Sequence, residues 1–248
     1  MRHALALLSL LALAGCAGAA PAATRARTRL HVYAITDTAG YRHASIPDGV
    51  AALRAAARVD GRYDVTVLSR ASELTGARLD HAAAVVFMLT SGELRVDAAW
   101  KRRLLAFVRA GHGLVGFHSA SDTFHAWPAW RAMLGGEFAR HPYHRVMRVI
   151  VEDRMHAATR TLPGAFRIFE EFYFFTSDPR RRAHVLARLD VARQDRPVVW
   201  CRHERRGRVF YDALGHEPGT WRDRRQRRLL AGGVAWALAL PGGRSACG

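Results

Sequence analysis

Three short apolar runs and one alternating stretch, residues 63–68, predict the strands of a parallel sheet in the first half of the chain. They cover residues 30–35, 63–68, 82–89 and 113–117. Apolar residues recur at helical spacing after the first stretch and again after the third. Near-continuous apolar runs are typical of strands that are covered on both faces. The alternation of strands and helices therefore predicts an α/β fold with a doubly wound parallel sheet.

The second half of the chain predicts additional strands and a closing helix. A short helix begins at Trp127-Pro128, and Gly207 is placed to turn two strands into a hairpin. The strand candidates cover residues 145–151, 166–175, 183–189, 197–201 and 208–214, and the closing helix covers 221–238. No internal repeat and no linker divides the sequence. We therefore predict one domain over residues 30–240, followed by a tail at 241–248.

The most distinctive stretch covers residues 113–123, where an apolar strand stops at a polar run. The small residues that indicate a crowded backbone at this turn are Gly116, Ser119 and Ala120. Strand, sharp turn and helix form a nucleophile elbow, which lifts one side chain to the carboxyl end of a sheet. The residue at this apex is His118. Loops 36–43 and 90–93 should reach the same edge, where doubly wound sheets bind ligands.

Seven titratable residues fall in segments that can reach this edge. They are His43, His118, Asp122, His125, His141, Glu171 and His216. If a helical turn follows the elbow, Asp122 shares a face with His118 and orients it as a general acid or base. Alternatively, His118 and Asp122 hold a divalent metal such as zinc together with His141, His43 or His216. A third possibility is that these side chains only pack and hold the loops.

The aromatic segment at 166–175 adds a carboxylate to these candidates. Glu170 and Glu171 are adjacent, so on a strand they point to opposite faces. We predict that Glu171 points into the site, and a salt bridge to an arginine is the alternative. Trp127 and Tyr173 are the candidates for a sugar-stacking wall, whereas most aromatic residues belong to the core. Histidines expected at the surface or on strands without a role are His125, His144, His184 and His203.

Residues 1–16 have the pattern of a bacterial lipoprotein signal peptide. A short positive start precedes an apolar run, residues 4–13, that is too short to span a membrane. Leu13-Ala14-Gly15-Cys16 then matches a lipobox, in which Cys16 is acylated after cleavage. An ordinary secretory signal cut after a nearby small residue is the alternative. Residues 17–29 predict a flexible tether. Both kinds of signal peptide predict a mature protein outside the cytoplasm, and the lipoprotein signal also predicts a membrane anchor.

Charge and cysteine content change this picture little. The formal net charge is +17, and arginine supplies nearly all of it because Lys101 is the only lysine. Arginines cluster only at residues 180–182 and 222–228, without interleaved aromatic residues for base stacking. We therefore expect salt-sensitive attraction to polyanions and no specific nucleic-acid partner. Whether Cys201 and Cys247 pair stays open.

Several linked motifs resemble the ThuA-like (trehalose-utilisation) family. They are Thr-Ala-Gly-Tyr-Arg-His at 38–43, Gly-Phe-His-Ser-Ala-Ser-Asp-Thr at 116–123, and residues 127–128, 141–142, 198–201, 207–211 and 214–216. Segment 151–156 also matches, with Met155 where an aspartate is common. The resemblance covers residues 30–240. It implies a flavodoxin-like sheet, similar to that of class I glutamine amidotransferases. Those enzymes carry a catalytic cysteine at the elbow, so His118 excludes thioester chemistry here.

The resemblance also implies a role in disaccharide catabolism, often in processing keto-sugars after oxidation of a glycoside. We therefore expect an extracytoplasmic protein that acts on a small carbohydrate. The expected catalytic residues are His118, Asp122 and Glu171, through acid–base or metal-assisted chemistry rather than a glycosidase carboxylate pair. The expected substrate-binding residues are His43, Trp127, Tyr173 and His216. A non-catalytic sugar-binding lipoprotein is the alternative, and the oligomeric state stays open.

Overall fold

A computed structural model describes residues 29–191, 196–243 and 247. Its strands are β1 (Leu30–Ile35), β2 (Tyr63–Leu68), β3 (Ala82–Met88), β4 (Gly113–Phe117), β5 (Phe138–Val151), β6 (Ala165–Phe175), β7 (His184–Leu189), β8 (Pro197–Glu204) and β9 (Gly207–Asp212). Its helices are α1 (Ile46–Asp60), α2 (Gly76–Asp80), α3 (Ala98–Arg109), α4 (Pro128–Leu134) and α5 (Arg224–Ala237). Within these ranges no helix is long and apolar enough to cross a membrane. The predicted signal peptide with Cys16, and the tether up to residue 28, lie outside the described residues.

The nine strands form one sheet in the order β2-β1-β3-β4-β9-β8-β7-β5-β6. Strands β2, β1, β3, β4 and β9 are parallel. This is the flavodoxin-like order, with β9 in the fifth position. From β9 onwards every neighbouring pair is antiparallel. The predicted α/β fold, a parallel sheet with additional strands from the C-terminal half, is confirmed.

Helices cover both faces of the parallel part of the sheet. A side chain at Gly113 would collide with the backbone of Ala237 in α5, and one at Gly116 would press on Leu134 in α4. The two glycines are three residues apart on β4, so these contacts lie on opposite faces. Because β4 is completely buried between the helices, its carboxyl end is the place where its chain can reach a ligand.

The long hairpin of β5 and β6 bends back over the parallel strands. β6 pairs along most of β5, whereas β7 pairs only with the last three residues of β5. At the open end of the hairpin, the ring of Phe175 packs on Trp200 of β8 and on Tyr211 of β9, with centroids 4.9 and 6.0 Å apart. This bend carries the middle of β6 to the elbow, although β6 is the last strand of the sheet.

Several boundaries differ from the prediction, among them the starts of β5 and α5. β5 begins earlier, at Phe138, because register shifts before Tyr143 accommodate Pro142, which has no N–H group for the ladder. α5 begins later, at Arg224, because the carboxylate of Asp223 caps the helix N-terminus.

The tail of the chain is tied to β8 by a disulfide. Cys201 and Cys247 are bonded, with Cα atoms 5.9 Å apart. The sequence alone left this pairing open because spacing does not determine connectivity. The structure therefore extends the folded unit to the tail, whose last described residue is buried.

Candidate functional site

The predicted elbow forms at the end of β4. His118 has a φ of +48°, in the left-handed region that residues other than glycine rarely adopt, and a 3-10 turn, His118–Asp122, follows it. The turn is crowded, since a side chain at Gly116 would lie 3.1 Å from the Cβ atom of Ala120. The Tyr211 hydroxyl donates to the His118 carbonyl at 2.6 Å. These contacts hold the strained backbone that presents the buried imidazole of His118.

Four side chains meet at this apex, and we call them the His/Glu cluster. They are His43 from the loop after β1, His118 from the elbow, Glu171 from β6 and His216 from the loop after β9. One possible ligand atom from each lies within 4.8 Å of the other three. The Nε2 atoms of His43 and His118 are 3.1 Å apart. Glu171 Oε2 lies 3.5 Å from His118 Nε2 and 3.1 Å from His216 Nδ1.

Second contacts fix the orientation of the two buried rings. His118 Nδ1 lies 2.7 Å from the carbonyl of Ala213, and His43 Nδ1 lies 3.3 Å from Ser119 Oγ. A carbonyl only accepts, so Nδ1 of His118 carries the proton and, in the neutral ring, its Nε2 keeps a free lone pair. Metal-binding histidines have the same arrangement, with one nitrogen held by a second group and the other directed at the metal.

The electrostatics of the cluster favour a neutral His43 and an ionised Glu171. Burial, together with repulsion by positive charge on His118 and His216, lowers the pKa of His43 to about 3. Burial alone would raise the pKa of Glu171, but the imidazoles of His118 and His216 beside it, when protonated, hold it well below its usual range. The contact with Glu171, 3.1 Å away, raises the pKa of His216. Neutral imidazole and carboxylate are the forms that bind metals.

Glu170 binds the loop that carries His216. Its fully buried carboxylate accepts the backbone N–H groups of residues 215–217 at 3.0–3.3 Å and the Thr220 hydroxyl at 2.6 Å. The predicted orientation of Glu171 into the site agrees with its contacts, and its ion pairs are with histidines. Both glutamates are buried because other segments cover both faces of this end of β6.

The predicted pairing of Asp122 with His118 is wrong. Both ring nitrogens of His118 contact other residues, and Asp122 instead binds the exposed ring of His125 at 2.8 Å. The reason is the 3-10 turn, in which three residues complete one turn, so that position i+3 lies over position i. Ser121 occupies that position, and its hydroxyl lies 3.4 Å from the His118 carbonyl. Asp122 is therefore outside the His/Glu cluster and does not orient its central histidine.

The remaining predicted residues divide between the edge of the site and the core. His141 is half exposed, and its Nδ1 lies 3.2 Å from Oε1 of Glu171, so it contacts the cluster from outside the ligand set. The buried ring of Tyr173 packs against His118, with centroids 4.3 Å apart, and forms a wall of the site. Trp127 contacts aromatic rings of the core at 5.5–6.0 Å, so its position does not support the predicted role in stacking a sugar.

Sequence reasoning missed Tyr41, which lies at the rim of the site. Its side chain is 64 % exposed, and its ring meets that of His43 edge to face, with centroids 4.7 Å apart. The Ser91 hydroxyl donates to its carbonyl at 2.6 Å and holds the loop in place. An exposed tyrosine ring beside polar groups can pack on a sugar ring while the tyrosine hydroxyl stays hydrated. The signal was present as the aromatic residue of the motif at 38–43.

Comparisons with known proteins agree with this architecture. The model of the ThuA family, described as trehalose utilisation, matches residues 31–237. A ThuA-like protein from Bacteroides uniformis has a TM-score of 0.72 at 21 % identity, with 88 % of this chain and 95 % of that chain covered. A ThuA-like protein from Parabacteroides merdae has a TM-score of 0.71 at 17 % identity, with 85 % and 90 % covered.

The amidotransferase-like fold is supported as well. A glutamine amidotransferase from Thermotoga maritima has a TM-score of 0.52 at 14 % identity, with 88 % of this chain and 100 % of that chain covered. No functionally curated protein matches the sequence. Because the family match spans the elbow and all four residues of the His/Glu cluster, the chain belongs to the ThuA family.

Proposed function

We propose that this protein is a metal-dependent enzyme that acts on a small carbohydrate outside the cytoplasm. The observation that carries the proposal is the His/Glu cluster, in which three imidazoles and one carboxylate converge at the ligand edge of the sheet. Few structural arrangements need so many titratable groups in one largely buried place. A divalent cation such as zinc accounts for all four.

The spacing of the four side chains fits a small divalent ion. In tetrahedral zinc sites the bonds to nitrogen and oxygen are about 2.0–2.2 Å long, which places neighbouring ligand atoms about 3.3–3.5 Å apart. Three of the six separations between cluster atoms are 3.1, 3.5 and 3.1 Å, and the other three are no longer than 4.8 Å. The contacts of His43 with Ser119 and of His118 with Ala213 supply the second groups that such ligands need.

The surrounding residues suit proton transfer next to a polarised carbonyl. When bound, a divalent cation polarises a substrate carbonyl and so acidifies the neighbouring C–H or O–H group. Glu171 keeps its Oε1 atom on the side of His141, and the half-exposed ring of His141 can exchange a proton between this carboxylate and substrate. Tyr173 packs against His118 and excludes water from that side of the site.

A keto-sugar or related glycoside is the substrate class that fits these features. The family description supports a role in the use of a disaccharide. The exposed ring of Tyr41 gives the rim of the site an apolar face on which a pyranose can pack. A carbonyl on the sugar would supply the oxygen that metal-assisted chemistry requires.

The extracytoplasmic part of the proposal rests on two features. The lipobox at Cys16 predicts export and anchoring to the membrane. The disulfide between Cys201 and Cys247 supports the same location, because such bonds persist in oxidising compartments.

The proposal is tested with purified protein, trehalose and an oxidised keto derivative of trehalose. We expect the zinc-loaded wild type to convert the keto-sugar, followed by proton NMR of the sugar. Treatment with EDTA and His118→Ala should each reduce the rate by at least about 100-fold. His125→Ala is the matched control and should convert at the wild-type rate, because His125 pairs with Asp122 and Glu137, which lie outside the cluster.

Three outcomes separate the alternatives. Activity that is lost in His118→Ala but survives EDTA would indicate acid–base chemistry without a metal. In that case a neutral His43 and a neutral His118 hydrogen bond to each other. Equal rates for wild type and His118→Ala would contradict the proposed site. A non-catalytic sugar-binding protein would instead show calorimetric binding that depends on Tyr41 and persists without His118.

A further inference from the structure

A second set of possible metal ligands lies beside the His/Glu cluster. It consists of His144, His216 and Glu217, whose ligand atoms also lie within 4.8 Å of one another, and we call it the outer triad. His144 Nε2 is 2.7 Å from Glu217 Oε1. The same carboxylate oxygen is 4.0 Å from His216 Nε2.

The two sets share one imidazole and use different edges of it. His216 turns Nδ1 to Glu171 of the cluster at 3.1 Å and Nε2 towards Glu217. His144 belongs to β5, and its register partner on β6 is Glu171. Directly opposed residues of an antiparallel pair have side chains on one face of the sheet. The hairpin and the loop after β9 therefore place the two sets next to each other.

We propose that His216 is a shared ligand of two divalent cations, and that the outer triad holds the second one. This proposal depends on the proposed function in one respect: it assumes that a first cation binds in the His/Glu cluster. When both ring nitrogens bind a cation, the ring proton is released to solvent. Two imidazoles and one carboxylate suit zinc, manganese or iron(II) and leave coordination positions free.

The position of the outer triad fits an exchangeable cation at the mouth of the site. The side chains of His144 and Glu217 are 46 % and 31 % exposed, whereas the cluster beneath is mostly buried. Two carboxylates, Glu171 and Glu217, flank the shared ring on its two sides. A cation held there would add positive charge at the entrance of the site, where it could bind an oxygen atom of a sugar.

The test counts zinc ions bound to the untagged full chain. Protein freed of metal with EDTA is dialysed against a series of zinc concentrations. Bound zinc is then measured by inductively coupled plasma mass spectrometry. We expect about two equivalents for the wild type and about one for each of His144→Ala and Glu217→Gln, since each variant removes one ligand of the outer triad only. His125→Ala keeps the wild-type count because its exposed ring is paired with Asp122.

The possible failures are distinguishable. One equivalent in the wild type, lost in His118→Ala but kept in His144→Ala, would overturn the outer site and leave the proposed function intact. A second equivalent that survives both outer variants would assign it to another surface site and also overturn the inference. No zinc binding at all would contradict the inner site as well. A thermal unfolding midpoint within the wild-type range confirms that the exposed substitutions leave the fold intact.

Discussion

At the scale of single residues, the site depends on how two buried imidazoles are held. Ser119 Oγ and the Ala213 carbonyl occupy the Nδ1 atoms, so the Nε2 atoms of His43 and His118 face each other. In the proposed metal site, this arrangement would direct both Nε2 atoms at the cation. The strained φ of His118 is the conformational cost of placing its ring there.

The contact between Ser119 and His43 predicts a measurable effect on metal affinity. Ser119→Ala removes the group that fixes Nδ1 of His43 and should weaken zinc binding by about 10–100-fold, as for other second groups of metal ligands. A competition titration with a coloured chelator measures this. Ser121→Ala is the control, because Ser121 contacts Tyr211 and a carbonyl but no ring nitrogen of the cluster. Equal affinities in both variants would contradict the assigned role.

Asp212 predicts a pH dependence of stability that is separate from the site. Burial raises its pKa from 3.8 to about 7, although Gln226 and a backbone N–H group donate to it. The folded state therefore holds the proton more tightly than the unfolded chain. The contribution is fully present below about pH 4 and is lost as the pH rises towards 7. Between pH 5 and pH 8 this loss amounts to about 2–3 kcal/mol.

Asp212→Asn should remove that loss. Between pH 5 and pH 8, we expect the unfolding free energy of the variant to rise relative to that of the wild type. Gln226 can turn its amide to match the new side chain. Urea denaturation at both pH values measures the difference. A difference that is the same at both pH values would show that Asp212 keeps an ordinary pKa in the folded protein.

Single residues also show where sequence reasoning succeeds and where it stops. His118 was found because an apolar strand between glycines ends at it, and Glu171 because an acidic pair interrupts an aromatic strand. Asp122 was misplaced because a local pattern does not distinguish a 3-10 turn from an α-helical turn. Glu170 and Tyr41 were missed because their roles depend on partners far away in the chain.

At the scale of elements, the loop after β9 decides whether His216 reaches the cluster. Glu170 binds this loop through three backbone N–H groups and a hydroxyl. Gly215 is required as well, since it has a φ of +129° and a side chain there would collide with Trp221. The loop is therefore held by the carboxylate of Glu170 and by the ring of Trp221.

Glu170→Gln should destabilise the protein and weaken zinc binding together. The amide nitrogen cannot accept, so at least one buried N–H group loses its partner, at a cost of about 2–4 kcal/mol in unfolding free energy. Urea denaturation and zinc titration measure the two effects. The neighbouring Glu171→Gln should weaken zinc binding with a much smaller loss of stability, because it leaves the loop contacts intact. Unchanged stability in Glu170→Gln would show that Glu170 does not hold the loop after β9.

The elements themselves were predicted well where the pattern is local. The apolar runs became β1, β3 and β4 because burial on both faces leaves a continuous apolar run. The alternating stretch became β2, a half-buried strand at the edge of the sheet. The first half of β5 was not predicted, because Pro142 and polar side chains interrupt the alternation there. Its pairing with β6 sustains it as a strand despite that pattern.

At the scale of the whole molecule, the site forms between the two halves of the sheet. The parallel half supplies His43 and His118, and the antiparallel half supplies Glu171 through the bent hairpin. The sequence indicated that the loops of the parallel strands share an edge, since that follows from fold class. It could not indicate the bend of the hairpin, which depends on packing between residues distant in sequence.

The disulfide should contribute to the stability of the whole domain. It closes a loop of 46 residues between Cys201 and Cys247, and such a constraint on the unfolded chain is worth about 2–4 kcal/mol. Cys247→Ser should lower the unfolding free energy by this amount, measured by urea denaturation. Wild type treated with dithiothreitol is the control and should match the variant. A variant as stable as the oxidised wild type would contradict this contribution.

A diffraction experiment on crystals soaked in zinc shows whether the His/Glu cluster binds a metal ion. With data collected at the zinc absorption edge, we predict an anomalous peak bonded at about 2.0–2.2 Å to the Nε2 atoms of His43 and His118, to Nδ1 of His216 and to Oε2 of Glu171. The contradicting result is a map at saturating zinc with no peak between these four atoms and with the two Nε2 atoms still hydrogen bonded to each other.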